Sequence, residues 1–163
     1  VGFLSHRTLL YEDLTAEQNL RFYARLYDLD GVSARVEDLL RRVGLAARRY
    51  DLMRTFSHGL EQRLAIARSV IHQPLVLLLD EPDAHLDLQA VRALHRVIDA
   101  FAGTLILATH RKSTLERCDV RWHLQDGQLH QSRLRPPPVC GGATAVDTLE
   151  SPASCRDRSV AGA

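Results

Sequence analysis

A continuous apolar run that ends in two carboxylates constrains the fold of this chain more than any other feature. Residues 75–79 read Leu-Val-Leu-Leu-Leu, and Asp80 and Glu81 follow directly. An apolar run without polar alternation is typical of a parallel strand that is covered on both faces. It predicts a strand that delivers Asp80 and Glu81 to the carboxyl edge of a sheet, where ligands of open α/β sheets bind.

The segments around this run alternate between helical and strand patterns. Helical periodicity begins at Thr15, where Gln18 completes a capping box, and again at Ser33, with Gly44 in the position of a C-terminal cap. The other predicted elements are helices at 59–72 and 88–101, strands at 1–4 and 104–108, and a hairpin of 122–124 with 128–130 around an Asp-Gly turn. This order predicts an α/β fold with a parallel sheet. The helices between about 13 and 56 form a small helical subdomain.

Composition narrows the class of protein. The net charge of +1 argues against a nucleic-acid binder, which usually carries a basic excess. No apolar run approaches the length needed to span a bilayer. The three cysteines lack metal-ligand spacing, which favours free thiols in a reducing, cytosolic compartment. Residues 134–163 contain a Pro-Pro-Pro run and few large apolar side chains, so we expect a disordered tail after a folded unit at 1–133.

The carboxylate pair has two interpretations. Asp80 would suit Mg²⁺, because this ion takes oxygen ligands from one or two carboxylates and from phosphates. Glu81 could polarise a water for attack on a γ-phosphate. The alternative is a strand that happens to end in an acidic turn, since short motifs are hypotheses.

Neighbouring segments favour the first interpretation. Ser57 and Gly59 open a helix, whose N-terminus presents amides and a hydroxyl to an anion. Residues 84–87 follow the carboxylates by a short turn and end in Asp87. The second strand, 104–108, leads into Thr109 and His110. If both strands are parallel, His110 lies within reach of a phosphate served by Asp80 and Glu81.

At this point the chain resembles the ABC ATPase family over roughly residues 1–130. Five elements follow in family order, namely a Q-loop at 1–6 continuing into 14–20, a signature at 57–63, Walker B with its glutamate at 75–82, a D-loop at 84–87 and an H-loop at 109–110. The resemblance implies a P-loop NTPase-like parallel sheet with an inserted helical subdomain. It also implies ATP and Mg²⁺ as ligands, a head-to-tail dimer with a second ATPase subunit, and a transmembrane permease as partner.

The resemblance assigns roles residue by residue. Asp80 would bind Mg²⁺, Glu81 would be the general base, and His110 would contact the γ-phosphate. Residues that would bind nucleotide or act across the dimer are Ser57, Gly59, Asp87 and His6. The Q-loop and the helices from 15 to 43 would face the permease, at the cytoplasmic face of the membrane.

Three departures from the family matter. The nine glycines never form GxxxxGK[ST], so the first strands and the phosphate loop are missing, which we interpret as truncation; the fragment alone should hydrolyse ATP negligibly. His6 replaces the Q-loop glutamine, which resembles haem-exporter-like ATPases and favours an exporter. His58 replaces the first signature glycine and Leu60 the glutamine. The alternatives are a soluble non-transport ABC ATPase and a catalytically inactive ABC subunit.

Overall fold

The computed structural model describes residues 1–5, 7–84 and 86–134. Within these residues helices and short strands follow one another along the chain, with two 3₁₀ turns at Ala46–Arg48 and Met53–Thr55. The strands are β1 (Gly2–Leu4), β2 (Val76–Asp80), β3 (Thr104–Ala108), β4 (Val120–Gln125) and β5 (Gln128–Arg133). The helices are α1 (Ala16–Leu26), α2 (Val32–Arg42), α3 (His58–Val70), α4 (Leu88–Ala100) and α5 (Lys112–Leu115).

The first three strands form a parallel sheet in the order β1-β2-β3. Leu79 of β2 pairs with Leu4 of β1 and with Leu107 of β3, and Asp80 pairs with Ala108. The predicted parallel α/β architecture is therefore confirmed, and β2 and β3 end together at one edge. The predicted hairpin is also confirmed, as the antiparallel pair β4-β5 with Gly127 at a positive φ of 77° in its turn.

The helix ends follow from local hydrogen bonding. Thr15 accepts a hydrogen bond from the Gln18 amide, and the Gln18 side chain accepts one from the Thr15 amide, which completes the predicted capping box of α1. Gly44 follows α2 with a φ of 71°, a conformation that glycine adopts without steric cost. The one-turn helix α5 was not predicted, because four residues are too few to show helical periodicity.

Among the described residues, helices pack against one face of the sheet and leave the other open. Leu4, Leu77 and Leu79 are buried in one core cluster with residues of all four longer helices. Phe3 and Ile106 are 45% and 58% exposed, on the opposite face. The described residues therefore do not cover the sheet around β2 on both faces, which corrects the prediction for this part of the chain. The apolar run has an open face because the helices in the described part of the chain contribute to the core on one side.

Helix α3 is attached directly to β1. Arg68 donates a hydrogen bond to the Phe3 carbonyl at 2.8 Å, and His72 contacts the Val1 carbonyl at 3.0 Å. Burial lowers the pKa of both side chains. A Cβ on Gly2 would lie 2.3 Å from the Ser69 carbonyl oxygen, so this close approach requires glycine. Strand β1, which lies within the predicted Q-loop segment, is thus fixed to α3, whose start carries the predicted signature.

Two expectations from the sequence remain predictions. The helices α1 and α2 and the two 3₁₀ turns lie within residues 13–56, but the boundaries of a helical subdomain at 13–56 and of a folded unit at 1–133 stay as predicted. The expected disordered tail beyond Leu134, like His6, lies outside the described residues.

Candidate functional site at the carboxyl edge of the sheet

The structure brings three of the predicted site residues together at the carboxyl edge of β2 and β3. Asp80 is the last residue of β2 and is exposed. Glu81 follows it, and its Oε1 lies 3.2 Å from Nε2 of His110. The His110 and Glu81 side chains are 93% and 52% exposed, so both remain accessible to a ligand. This geometry brings His110 to one of the two carboxylates, and its predicted contact with a phosphate stays a prediction.

Glu81 occupies an unusual backbone conformation. Its φ is 45°, in the left-handed region that residues other than glycine seldom adopt. Two backbone hydrogen bonds hold the turn, one from the Glu81 amide to the Ala108 carbonyl and one from the Ala84 amide to the Glu81 carbonyl. This bend turns the chain away from the strand immediately after Asp80. Strained conformations of this kind concentrate at functional sites.

A buried carboxylate lies directly behind the exposed pair. Asp83 is 4% exposed and accepts hydrogen bonds from Thr109 Oγ1, at 2.7 and 2.8 Å, and from Thr114 Oγ1, at 2.6 Å. Arg111 adds a contact at 3.9 Å to the same carboxylate. His95 of α4 contacts Thr114 Oγ1 at 3.1 Å, and burial lowers the pKa of this imidazole. Together these residues link the turns that follow β2 and β3.

Sequence reasoning did not identify Asp83, Thr114 or His95 as part of the site. The network joins residues from four separate segments, and no spacing along the chain indicates that they meet. The one available signal was a third acidic residue, Asp83, within three positions of Asp80. A carboxylate in that position needs hydrogen-bond donors if it is buried.

The predicted signature lies at the start of α3. Ser57 is the N-cap residue, and its side chain makes no capping hydrogen bond, so the hydroxyl does not satisfy the helix amides. Ser57, His58 and Gly59 lie at an exposed helix N-terminus, where amides and the helix dipole favour anions.

Asp87 connects the signature to the turn after β2. Its Oδ1 accepts a 2.6 Å hydrogen bond from the Ala90 amide, which makes Asp87 the N-cap of α4. A Cβ placed on Gly59 would lie 3.1 Å from Oδ2 of Asp87. Gly59 and Asp87, predicted from separate motifs, are therefore neighbours within one chain.

Two clefts differ in their lining residues and in the side chains that are available to a ligand. A cleft of ≈ 330 Å³ at the carboxyl edge is lined by Glu81, Asp83, Ala84, His110 and Arg111. A larger cleft of ≈ 410 Å³ lies at the opposite end of the strands, near Leu75 and Gly103. The two arginines that line this larger cleft already form hydrogen bonds within the protein: Arg35 donates to the Ile71 carbonyl and Arg42 donates to Asp38. The smaller cleft is the candidate site, because it contains the exposed carboxylate and imidazole.

The residues present fit part of a Mg²⁺-nucleotide site. Asp80 offers a hard oxygen ligand, but the described residues include no group of three His, Cys, Asp or Glu side chains that could hold a metal alone. Mg²⁺ usually completes its shell with water and phosphate oxygens, so a single carboxylate is compatible with this ion. GxxxxGK[ST] does not occur in the sequence, and the amide cradle for the β- and γ-phosphates has no counterpart in these motifs. None of the helices in residues 1–5, 7–84 and 86–134 combines the length and hydrophobicity needed to cross a bilayer.

Similar proteins were found by sequence. A family model described as ABC transporter matches residues 1–84, just over half of the chain. The fluoroquinolones export ATP-binding protein MT2762 of Mycobacterium tuberculosis (strain CDC 1551 / Oshkosh) is 39% identical, over 73% of this chain and 40% of that protein. NatA, an ABC transporter ATP-binding protein of Bacillus subtilis (strain 168), is 32% identical, over 75% and 52%. The cytochrome c biogenesis ATP-binding export protein CcmA of Vibrio vulnificus (strain YJ016) is 36% identical, over 67% and 55%.

Similar structures agree with these relatives. An ATP-binding subunit of an ABC transporter superposes with a TM-score of 0.71 at 31% identity, covering 82% of this chain and 58% of that chain. The ATP-binding cassette MJ0796, in a dimeric post-hydrolysis state, gives a TM-score of 0.71 at 23% identity, covering 83% and 63%, which supports the fold. The chain spans about half the length of the curated relatives it matches. From its sequence match and its fold, the chain belongs to the ABC transporter family, within the ATP-binding domain.

Proposed function

We propose that this chain belongs to the ATP-hydrolysing subunit of a membrane ABC transporter that exports its substrate. The observation that carries the proposal is the contact between Glu81 and His110 beside Asp80, at the carboxyl edge of two parallel strands. The proposal covers the activity of the whole protein. These 163 residues supply one part of its nucleotide site, because they contain no GxxxxGK[ST] loop.

Each exposed side chain of the site has a distinct chemical task in this proposal. Glu81 accepts a proton from the attacking water, and an N–H of His110 donates to the γ-phosphate. The 3.2 Å contact lets His110 orient the carboxylate before the nucleotide arrives. Asp80 would hold Mg²⁺, which neutralises charge that develops on the phosphate oxygens.

The signature serves a second nucleotide in this proposal. Ser57 has a hydroxyl that does not cap its own helix, and Gly59 offers its backbone at the helix N-terminus. Both would contact the ATP bound by a second ATPase subunit arranged head to tail. Asp87, which lies beside Gly59, would transmit the state of the signature to the turn that carries Glu81.

An exposed apolar surface on α1 supports docking to a permease. We call it the α1 surface; its members are exposed apolar or aromatic side chains of α1, of its C-cap and of the segment before it, namely Leu9, Tyr11, Phe22, Leu26 and Tyr27. Tyr11 and Phe22 pack edge to face at 4.9 Å, so part of the surface is preorganised. Exposed clusters of this kind mark interaction sites. This surface would place the protein at the cytoplasmic face of the membrane.

Export is the direction that the relatives favour. Two of the relatives are named as export proteins, and they match this chain at 39% and 36% identity. The substrate is set by the permease and is not proposed.

The transporter assignment is tested with protein purified from the organism that produces it. Mg²⁺-ATP hydrolysis and co-sedimentation with membrane vesicles from the same organism are measured for the wild type, Leu26→Ser and Leu129→Ser. Leu26 is 67% exposed on the α1 surface, and Leu129 is 59% exposed on the hairpin, so the two changes are matched. We expect membrane-stimulated hydrolysis that falls several-fold in Leu26→Ser alone.

Two outcomes would contradict the proposal. A wild-type protein that hydrolyses no ATP with or without membranes would support an inactive subunit. Hydrolysis that membranes never stimulate, and that Leu26→Ser leaves unchanged, would support an ATPase without a transport role.

A further inference from the structure

We propose that Asp83 is a positioning residue whose buried carboxylate holds the loop that carries His110 in register with the turn that carries Glu81. Asp83 follows Glu81 by two residues, and its partner Thr109 directly precedes His110. The catalytic consequence rests on the proposed ATPase function. The structural coupling itself rests on the described contacts alone.

The Glu81–His110 contact is too exposed to hold the two loops in place by itself. The Glu81–His110 contact joins side chains that are 52% and 93% exposed, and ion pairs with this exposure contribute little to stability. The backbone bond from Glu81 to Ala108 fixes the strand ends but not the loop beyond them. The Asp83 contacts to Thr109 act beyond the strand ends and are shielded from water, since Asp83 is 4% exposed.

If Asp83 is ionised, the donor and the acceptor of each hydrogen bond in this network follow from the hydrogens that are available. A carboxylate only accepts, so the hydroxyls of Thr109 and Thr114 both donate to Asp83. Each hydroxyl has a single hydrogen, and each must therefore accept from its second partner. Thr109 Oγ1 accepts from the Arg111 amide at 3.0 Å, and Thr114 Oγ1 accepts from His95. His95 must then carry its proton on Nε2, where it points toward Thr114.

The charge of Asp83 is also compensated. The Arg111 guanidinium lies 3.9 Å from Oδ2, and its Nη2 donates to the Asp83 carbonyl at 3.4 Å. Hydroxyl donors and a nearby cation offset the cost of burying a carboxylate. Burial lowers the pKa of His95, which favours the neutral imidazole that the proton count assumes.

The test compares four variants by NMR and by hydrolysis. Asp83→Asn removes the charge, Thr109→Val removes one donor, and Thr109→Ser restores that donor. Asp99→Asn is the control, because Asp99 also pairs with an arginine, Arg117, on the exposed side of α4. The readouts on the 163-residue chain are the His95 tautomer from ¹⁵N shifts and the nuclear Overhauser contacts between Glu81 and His110. The kcat and KM for Mg²⁺-ATP are measured on the protein from its own cells.

We expect the wild type, Thr109→Ser and Asp99→Asn to keep the Nε2–H tautomer of His95 and the Glu81–His110 contacts. Asp83→Asn should lose both: the amide nitrogen can donate to Thr114, whose own hydrogen is then free to be donated to His95 Nε2, and the charged acceptor that holds Thr109 is gone. Thr109→Val should lose the contacts and keep the tautomer. In both variants kcat should fall about 10- to 100-fold with KM within about twofold, since small misplacements reduce rate more than binding.

The inference is overturned if Thr109→Val retains the Glu81–His110 contacts, or if Asp99→Asn loses them equally. If Asp83→Asn does not fold, the comparison of Thr109→Val with Thr109→Ser still tests the inference, because both variants leave the buried carboxylate in place. A wild type without hydrolysis would remove the proposed function, whereas the NMR comparison would still decide the coupling.

Discussion

At the scale of single residues, Glu81 combines a chemical task with a conformational cost. Its φ of 45° places an L-residue in the left-handed region, which costs on the order of 1 kcal/mol relative to glycine. The surrounding hydrogen bonds hold this conformation against the cost. Stability and chemistry therefore make opposing demands on this position.

Glu81→Gly should separate these two demands. Glycine adopts positive φ without steric cost, so we expect the free energy of unfolding to stay the same or to rise by up to about 1 kcal/mol. Urea unfolding of the 163-residue chain measures this change, with Glu37→Gly on α2 as the control. The control should lose about 1 kcal/mol, because glycine is unfavourable within a helix. A large destabilisation in Glu81→Gly alone would contradict the strained conformation.

Glu17 is a second residue whose environment has a measurable consequence. The hydrogen bond from Arg49, at 2.9 Å, holds the pKa of the Glu17 carboxyl below its ordinary value of 4.5, and Arg21 acts in the same direction. Burial opposes both. A carboxyl with a lowered folded-state pKa adds stability above pH 4.5, and this contribution is lost as the pH falls through the lower folded pKa.

The melting temperature should therefore depend less on pH when Glu17 is absent. We expect the wild type to lose stability steeply below about pH 4.5 and Glu17→Gln to lose less over the same interval. Glu37→Gln, whose only close partner in the described contacts is Arg41 at 3.9 Å, should resemble the wild type. Equal slopes for the wild type and Glu17→Gln would show that the Arg49 bond does not shift this group.

At the scale of elements, the start of α4 serves two purposes. Asp87 caps the helix through Oδ1 and lies beside Gly59 through Oδ2. A cap alone requires a side-chain oxygen, and asparagine supplies one nearly as well as aspartate. A role in communication across a dimer would require the second oxygen or its charge.

Substitutions of Asp87 can separate the two roles. Asp87→Ala should lower the free energy of unfolding by about 1 kcal/mol, because a helix cap is lost. Asp87→Asn should retain stability within a few tenths of a kcal/mol. If Asp87 also acts beyond the cap, ATP hydrolysis should fall in both variants. Full activity in Asp87→Asn would leave Asp87 with a structural role alone.

At the scale of the whole molecule, the sequence predicted elements that local patterns determine and missed those that need distant partners. The capping box at Thr15, the apolar run of β2 and the turn at Gly127 each depend on a few neighbouring residues. The open face at Phe3 and Ile106 could not be predicted, because burial depends on which helices pack there. The Asp83 network was missed for the same reason, since its donors come from segments 26 and 31 residues away.

The candidate site likewise combines residues that local patterns predict with contacts that depend on distant partners. Asp80 and Glu81 were identified from one strand, and His110 from another, so a single assumption about parallel strands joined them. The structure satisfies that assumption through the pairing of Asp80 with Ala108. The signature and Asp87 became neighbours only through the packing of α3 and α4, which the spacing along the chain does not encode.

Hydrolysis of Mg²⁺-ATP by Glu81→Gln tests the central claim most directly, that Glu81 is the general base of an ATPase site. The protein from its own cells is assayed beside Glu37→Gln, which makes the same chemical change on the exposed surface of α2. General bases contribute about 10²–10⁴-fold, so we expect at least a 100-fold loss in Glu81→Gln, and none in the control. Turnover in Glu81→Gln that equals the wild type would contradict the account.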